Sequence, residues 1–125
     1  MSKVFLSLML SFLGLGASKC QTPTLTPAQL KEHCAKHNGT FIDVRTPQEY
    51  ASGHIKGCLH IDVLSKDFDK AVSKLDKNKT YYVYCASGGR SENAVDRMIK
   101  LGFTSVYNVG GFSDIKSGFA VESGK

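Results

Sequence analysis

Residues 81–95 read YYVYCASGGRSENAV. The aromatic and β-branched run Tyr81, Tyr82, Val83, Tyr84 has the composition of a strand, with its tyrosines alternating as packing residues do. The run ends at Cys85 and passes through Ala86, Ser87, Gly88 and Gly89 to Arg90. From Ser91 to Leu101 the apolar residues Ala94, Val95, Met98 and Leu101 fall three and four apart. That spacing predicts a one-sided helix with Gly102 as its stop. A strand, a glycine loop and a helix follow one another, and a thiol sits at the strand's C-terminal tip.

The flanking sequence repeats the alternation. Thr26-Pro27-Ala28-Gln29 combines a Thr N-cap, a Pro at the first helical position and a Gln three residues after the cap. The helix it opens runs through Leu30 and Cys34 and stops at Asn38-Gly39. TFIDV (40–44) reads as a short buried strand, and Thr46-Pro47-Gln48-Glu49 starts a second capped helix that ends near Gly53. CLHIDV (58–63) is strand-like. Residues 67–75 form a helix with Phe68, Ala71, Val72 and Leu75 on one side. SVYNV (105–109) is a further strand ended by Gly110-Gly111, and the tail beyond Phe112 is a short helix or turn. Strands alternating with helices imply parallel crossovers, hence an α/β sheet covered on both faces.

With 125 residues the chain supports one domain, expected over 26–125, with 20–25 as leader or linker. Its hydrophobic content of 42% and charged content of 22% are those of a globular protein. The net charge is +5, and without Lys3 and Lys19 it is +3, from 14 basic against 11 acidic residues. Basic residues form no run and do not interleave with aromatics, so nucleic-acid binding is not expected. A weakly basic surface favours small anions.

Residues 1–19 have the layout of a signal peptide: Lys3, an apolar run over 4–13, then Gly14, Gly16, Ala17 and Ser18. The run is shorter than the roughly 20 residues a membrane span needs. The expected location is outside the cytoplasm, in the periplasm or cell envelope. Cys20 resembles the lipid-bearing first residue of a bacterial lipoprotein, although Lys19 replaces the usual small residue before it. A lipid on Cys20 would be the one membrane contact; cleavage without lipid is the alternative.

The cysteines are Cys20, Cys34, Cys58 and Cys85. They form no CxxC pair and no zinc spacing, and His33 with His37 is too small a ligand set, so no metal is expected. Cys34 and Cys58 could pair as a disulfide in an oxidising compartment.

Ligands of open α/β sheets bind beyond the carboxyl ends of the strands, where Cys85 lies. The helix start that follows offers unpaired N–H groups and a positive dipole end. Ala86, Ser87, Gly88 and Gly89 let the backbone curl into an anion-holding nest, which favours the thiolate. Arg90 adds a fork of donors. Such a site transfers an anionic or polarised group through a covalent cysteine intermediate. Four residues separate Cys85 from Arg90. A cysteine phosphatase loop carries five, so a tetrahedral phosphate fits less well here than one extra sulfur atom.

The segments FIDVRTPQEYASGHIKGCLHI, CASGGRS and GFTSVYNVGGF, ordered between Phe41 and Phe112, resemble the rhodanese family, specifically its small single-domain exported members. The resemblance implies a rhodanese-like fold, a five-stranded parallel sheet flanked by helices on both faces. It also implies a thiosulfate sulfurtransferase: Cys85 takes sulfane sulfur from thiosulfate or a similar donor and passes it as a persulfide to cyanide or a thiol. No cofactor is required, and a monomer is expected. Cys58 stands where many members carry Ala, and Phe112 where many carry Trp. Cys58 could resolve a persulfide.

The expected persulfide-binding set is Ala86, Ser87, Gly88, Gly89, Arg90 and Ser91, with Arg45 attracting the donor anion. Arg45 could instead form an ion pair with Asp43 that fixes the loops. Arg90 divides between binding substrate and setting the loop, and Glu49 between capping its helix and pairing with Arg90. His54 is expected to pack a turn, and Ser91 to serve as N-cap. The rivals are a cysteine phosphatase or arsenate reductase, and a rhodanese-fold module that binds a partner without turnover.

Overall fold

The computed structural model describes residues 21–124; the signal-peptide reading of 1–19 and the lipidation of Cys20 lie outside them. The chain runs α1 (Pro27–His37), β1 (Thr40–Asp43), α2 (Pro47–Ser52), β2 (His54–Ile55), β3 (Leu59–His60), α3 (Phe68–Val72), β4 (Thr80–Cys85), α4 (Gly89–Lys100), β5 (Ser105–Gly111) and α5 (Phe112–Ile115). A 3-10 turn (Lys116–Gly118) and β6 (Val121–Glu122) finish it.

Local rules account for most boundaries. Thr26 and Thr46 each receive the N–H of the third helical residue, and the Gln29 and Glu49 side chains return to the cap N–H. α1 ends where Asn38 turns left-handed at φ 49°.

The main sheet is parallel in the order β3-β1-β4-β5, which puts β4 in the interior and Cys85 at its carboxyl end. Successive residues of β4 face opposite sides. Tyr81, Val83 and Cys85 join Phe68, Val72, Ala94, Val95 and Met98 beneath α3 and α4. Tyr82 and Tyr84 join Leu30, Ile55, Val109 and Ile115 on the other side. Both faces are therefore covered, as the alternating pattern predicts.

Three expectations need correcting. Among the described residues the sheet has four strands, not five; Thr24 extends it by a single parallel bridge to Asn108. The stretch read as a linker is laid along β5, with Asn108 N–H on the Pro23 carbonyl at 2.8 Å and Leu25 N–H on the Asn108 carbonyl at 3.0 Å. CLHIDV yields only Leu59 and His60 as strand, because Asp62 Oδ1 takes the Leu64 N–H at 2.9 Å and turns the chain. β6 folds back antiparallel on β2, a pairing too short and too distant in sequence to be read from composition.

Candidate active site

The loop after β4 turns directly into α4. Gly88 is the N-cap with φ 105°, a conformation that disfavours any side chain. The helix thus begins at Gly89, two residues before the expected start. Ser91 is not a cap; it lies in the first turn with its hydroxyl free to face the strand tip.

Cys85 is 1% exposed. Its Sγ receives the Gly88 N–H at 2.9 Å, and the Ser91 Oγ lies 3.4 Å away. Burial alone would push the thiol up. The Ser91 hydroxyl, with the N–H groups of Ser91, Gly88 and Ser87, outweighs it and brings the thiol below its ordinary range. Ser87, Gly88 and Ser91 of the expected cradle therefore converge on the sulfur. Gly89 has an ordinary φ and open space at its Cα, so its contribution is the first helical N–H.

Ala86 closes the loop against β5. A Cβ on Gly111 would land on the Ala86 carbonyl oxygen and come within 3.1 Å of Ser87 Cα, so glycine is required there for close approach. The β4–β5 register shifts between Val83 and Cys85, which brings Cys85 opposite Gly111.

Sequence reading missed Asn108. It is 8% exposed; its Oδ1 receives the Ser91 hydroxyl at 2.7 Å and the Gly110 N–H at 3.0 Å. Its Nδ2 donates to the Gly88 carbonyl at 3.4 Å. The available signal was a polar residue inside an apolar strand, one residue short of a glycine pair.

Both arginines are held in ion pairs, one of the two roles weighed for each. Arg45 is 5% exposed and committed to Asp43, with Nη2 at 2.6 Å from Oδ2 and Nε at 3.0 Å from Oδ1. Nη2 also donates to the Gly53 carbonyl at 2.6 Å, and the guanidinium lies 4.6 Å from the Phe112 ring centre. It fixes the loops after β1 and α2 and has no exposed fork for an anion. Arg90 forks onto Glu49, Nη1 to Oε1 at 2.9 Å and Nη2 to Oε2 at 3.0 Å. Its terminal nitrogens set the rim of the loop. Glu49 caps α2 as well, and chiefly the Arg90 bond holds its carboxyl at about 2.

The remaining singled-out residues lie elsewhere. Cys58 packs on the Tyr84 side of the sheet, Sγ 3.7 Å from the Tyr84 hydroxyl, across the sheet from Cys85. Burial pushes its thiol up to about 11. It is not placed to resolve a Cys85 persulfide. Cys34 and Cys58 are free thiols, so the disulfide is not formed. His54 packs its turn, with Nδ1–H on the Tyr50 carbonyl at 2.7 Å and its ring stacked on Tyr50. His33 and His37 stack at 4.2 Å, and His33 Nδ1 is 2.7 Å from the Tyr82 hydroxyl.

Residues 26–117 match the family model described as a Rhodanese-like domain. The chain is 37% identical over 75 residues to thiosulfate sulfurtransferase PspE of Escherichia coli (strain K12), covering 60% of this chain and 72% of that protein. It is 33% identical over 101 residues to thiosulfate sulfurtransferase GlpE of Pseudomonas putida, covering 79% and 89%. A solved structure of a rhodanese with anions from E. coli superposes with a TM-score of 0.59 at 34% identity, covering 69% of this chain and 99% of that one. With that match and those relatives, the chain belongs to the rhodanese-like domain family.

Proposed function

We propose that this chain is a thiosulfate sulfurtransferase that carries sulfane sulfur on Cys85. The carrying observation is the set of donors on one buried sulfur: the Gly88 N–H at 2.9 Å and the Ser91 hydroxyl at 3.4 Å, at the positive end of α4. The Cys85 thiolate attacks the outer sulfur of thiosulfate. The new S–S bond forms as the old one breaks, and sulfite leaves with the electron pair. The persulfide anion takes the place of the thiolate in the cradle. A cyanide or thiolate acceptor then attacks the outer sulfur and returns Cys85 as thiolate. The names of the relatives and the anions of the E. coli rhodanese support this substrate class.

Ala86 to Ser91 supply the backbone N–H groups for the anion. Arg90 and Glu49 hold the rim, and the donor anion is drawn by the helix start rather than by Arg45. The proposal includes residues 1–19 as an export signal, so the domain acts in the periplasm or cell envelope.

The test is intact mass after incubation of the purified chain with thiosulfate, beside Cys85→Ser. A gain of one sulfur atom, removed by cyanide and absent from the variant, is expected. No gain on a free, reduced Cys85 would overturn thiosulfate as donor. Hydrolysis of an aryl phosphate at comparable rate would overturn the sulfur-transfer reading itself.

A further inference from the structure

The Ser91 hydroxyl has one proton and three acceptors around it. Asn108 Oδ1 is 2.7 Å away, the Gly88 carbonyl 3.1 Å and Cys85 Sγ 3.4 Å. Ser91 is fully buried and Asn108 nearly so, so water does not enter the contest. The orientation of the Asn108 carboxamide is not free. The Gly110 N–H at 3.0 Å needs an oxygen, and the Gly88 carbonyl on the other side needs an N–H. The backbone of Asn108 is clamped as well, between β4 and the Pro23–Leu25 stretch. Its oxygen is therefore aimed at Ser91 by the sheet and cannot be exchanged for the nitrogen by a flip.

We infer that Asn108 is a positioning residue that competes with the Cys85 sulfur for the Ser91 proton. While Cys85 is a neutral thiol, the Ser91 O–H rests on Asn108 Oδ1 and its lone pairs face the S–H. When the sulfur carries charge, a charge-assisted O–H···S⁻ bond outweighs the neutral O–H···O=C bond and the hydroxyl turns. Asn108 keeps the Gly110 donor, so it is not left unpartnered. Ser91 then donates to thiolate or persulfide anion and withholds its proton from the neutral thiol. This inference rests on Cys85 as the sulfur carrier of the preceding section. The charged groups near the loop are Arg90 on α4, Glu49 on α2 and Asp62 after β3, and none is altered by changing Asn108.

The test reads the thiol, not turnover. The rate of iodoacetamide alkylation at Cys85, located by peptide mass, is followed against pH in the full chain. Asn108→Leu removes the competing oxygen, so the midpoint moves to lower pH and alkylation below it rises roughly two- to fivefold, the scale of one neutral hydrogen bond. Asn108→Asp keeps an acceptor and adds charge, so the midpoint moves up. In a Ser91→Ala background, Asn108→Leu has no further effect. A merely loosened loop would raise the midpoint in both Asn108 variants, and that result would overturn the inference, as would a Leu effect that survives Ser91→Ala. Should Asn108→Leu overpack and fail to fold, Asn108→Ala is read in the same way. Opposite shifts without any persulfide from thiosulfate would support the Asn108 role and sink the sulfur donor; persulfide formation with parallel shifts would do the reverse.

Discussion

Glu49→Gln separates two jobs held by one side chain. Glutamine is as good as glutamate at the third position of a capping box, so α2 keeps its start. What is lost is the charge opposite Arg90, whose terminal nitrogens lie 2.9 and 3.0 Å from the carboxylate. The Glu49 carboxyl is held at about 2 against an ordinary 4.5. At about 1.4 kcal/mol per unit that corresponds to about 3 kcal/mol. The two side chains are 29% and 34% exposed, and solvent screening reduces the expected contribution to about 1–2 kcal/mol. Because the folded-state value is the depressed one, the contribution is complete above about 4.5 and disappears as pH falls through about 2. Urea unfolding at neutral pH should therefore show Glu49→Gln less stable by about 1–2 kcal/mol, a fall of roughly 4–15 °C in Tm for a domain of this size. Repeated at successively lower pH, the wild-type and variant curves should converge across that window. A difference that stays constant down to the acid end would refute an ionic origin and assign the effect to the cap.

Asp43→Asn should cost about 3–5 kcal/mol, because it leaves the Arg45 guanidinium buried opposite a neutral partner. Thermal unfolding checks this; a stable variant that had merely lost its response to thiosulfate would restore Arg45 to the substrate. The glycines make a contrasting pair. Gly111→Ala collides with the Ala86 backbone and should destabilise by about 2 kcal/mol or more while slowing persulfide formation. Gly89→Ala places its Cβ in open space at the first helical residue and should stabilise by about 0.4–1 kcal/mol. Parallel behaviour of the two in urea unfolding would mean that the Ala86–Gly111 contact does not define the loop.

Local chemistry was legible in the sequence. Thr26-Pro27 and Thr46-Pro47 specify their helices within four residues, and the strand, cysteine and glycine order of 81–89 places the thiol at the carboxyl end of a strand before any contact is known. The covered α/β sheet follows from alternation alone. What stayed open is which of two roles a side chain takes when its partner is distant in sequence. Glu49 is a cap by its neighbours and a partner of Arg90 only through the fold. Arg45 is open to a donor anion or to Asp43 until Gly53 and Phe112, from two other segments, enclose it.

The loop after β4 shows why such ambiguities cluster at a site. Gly88 and Gly89 are the same letter, yet only Gly88 needs the positive φ, and that one angle starts α4 two residues early. The shift changes the chemistry of Ser91. As an N-cap its hydroxyl would have accepted a backbone N–H; inside the first turn it points at Cys85 and Asn108. Strand alternation acts the same way on the thiols. Cys85 follows Tyr84 in sequence, and for that reason faces the opposite side of the sheet, which separates it from Cys58, whose sulfur lies 3.7 Å from the Tyr84 hydroxyl. A resolving cysteine would have to share the Val83 and Cys85 face beneath α4. Among the described residues Cys85 is the cysteine that does, so in the proposed transfer neither Cys34 nor Cys58 takes the outer sulfur.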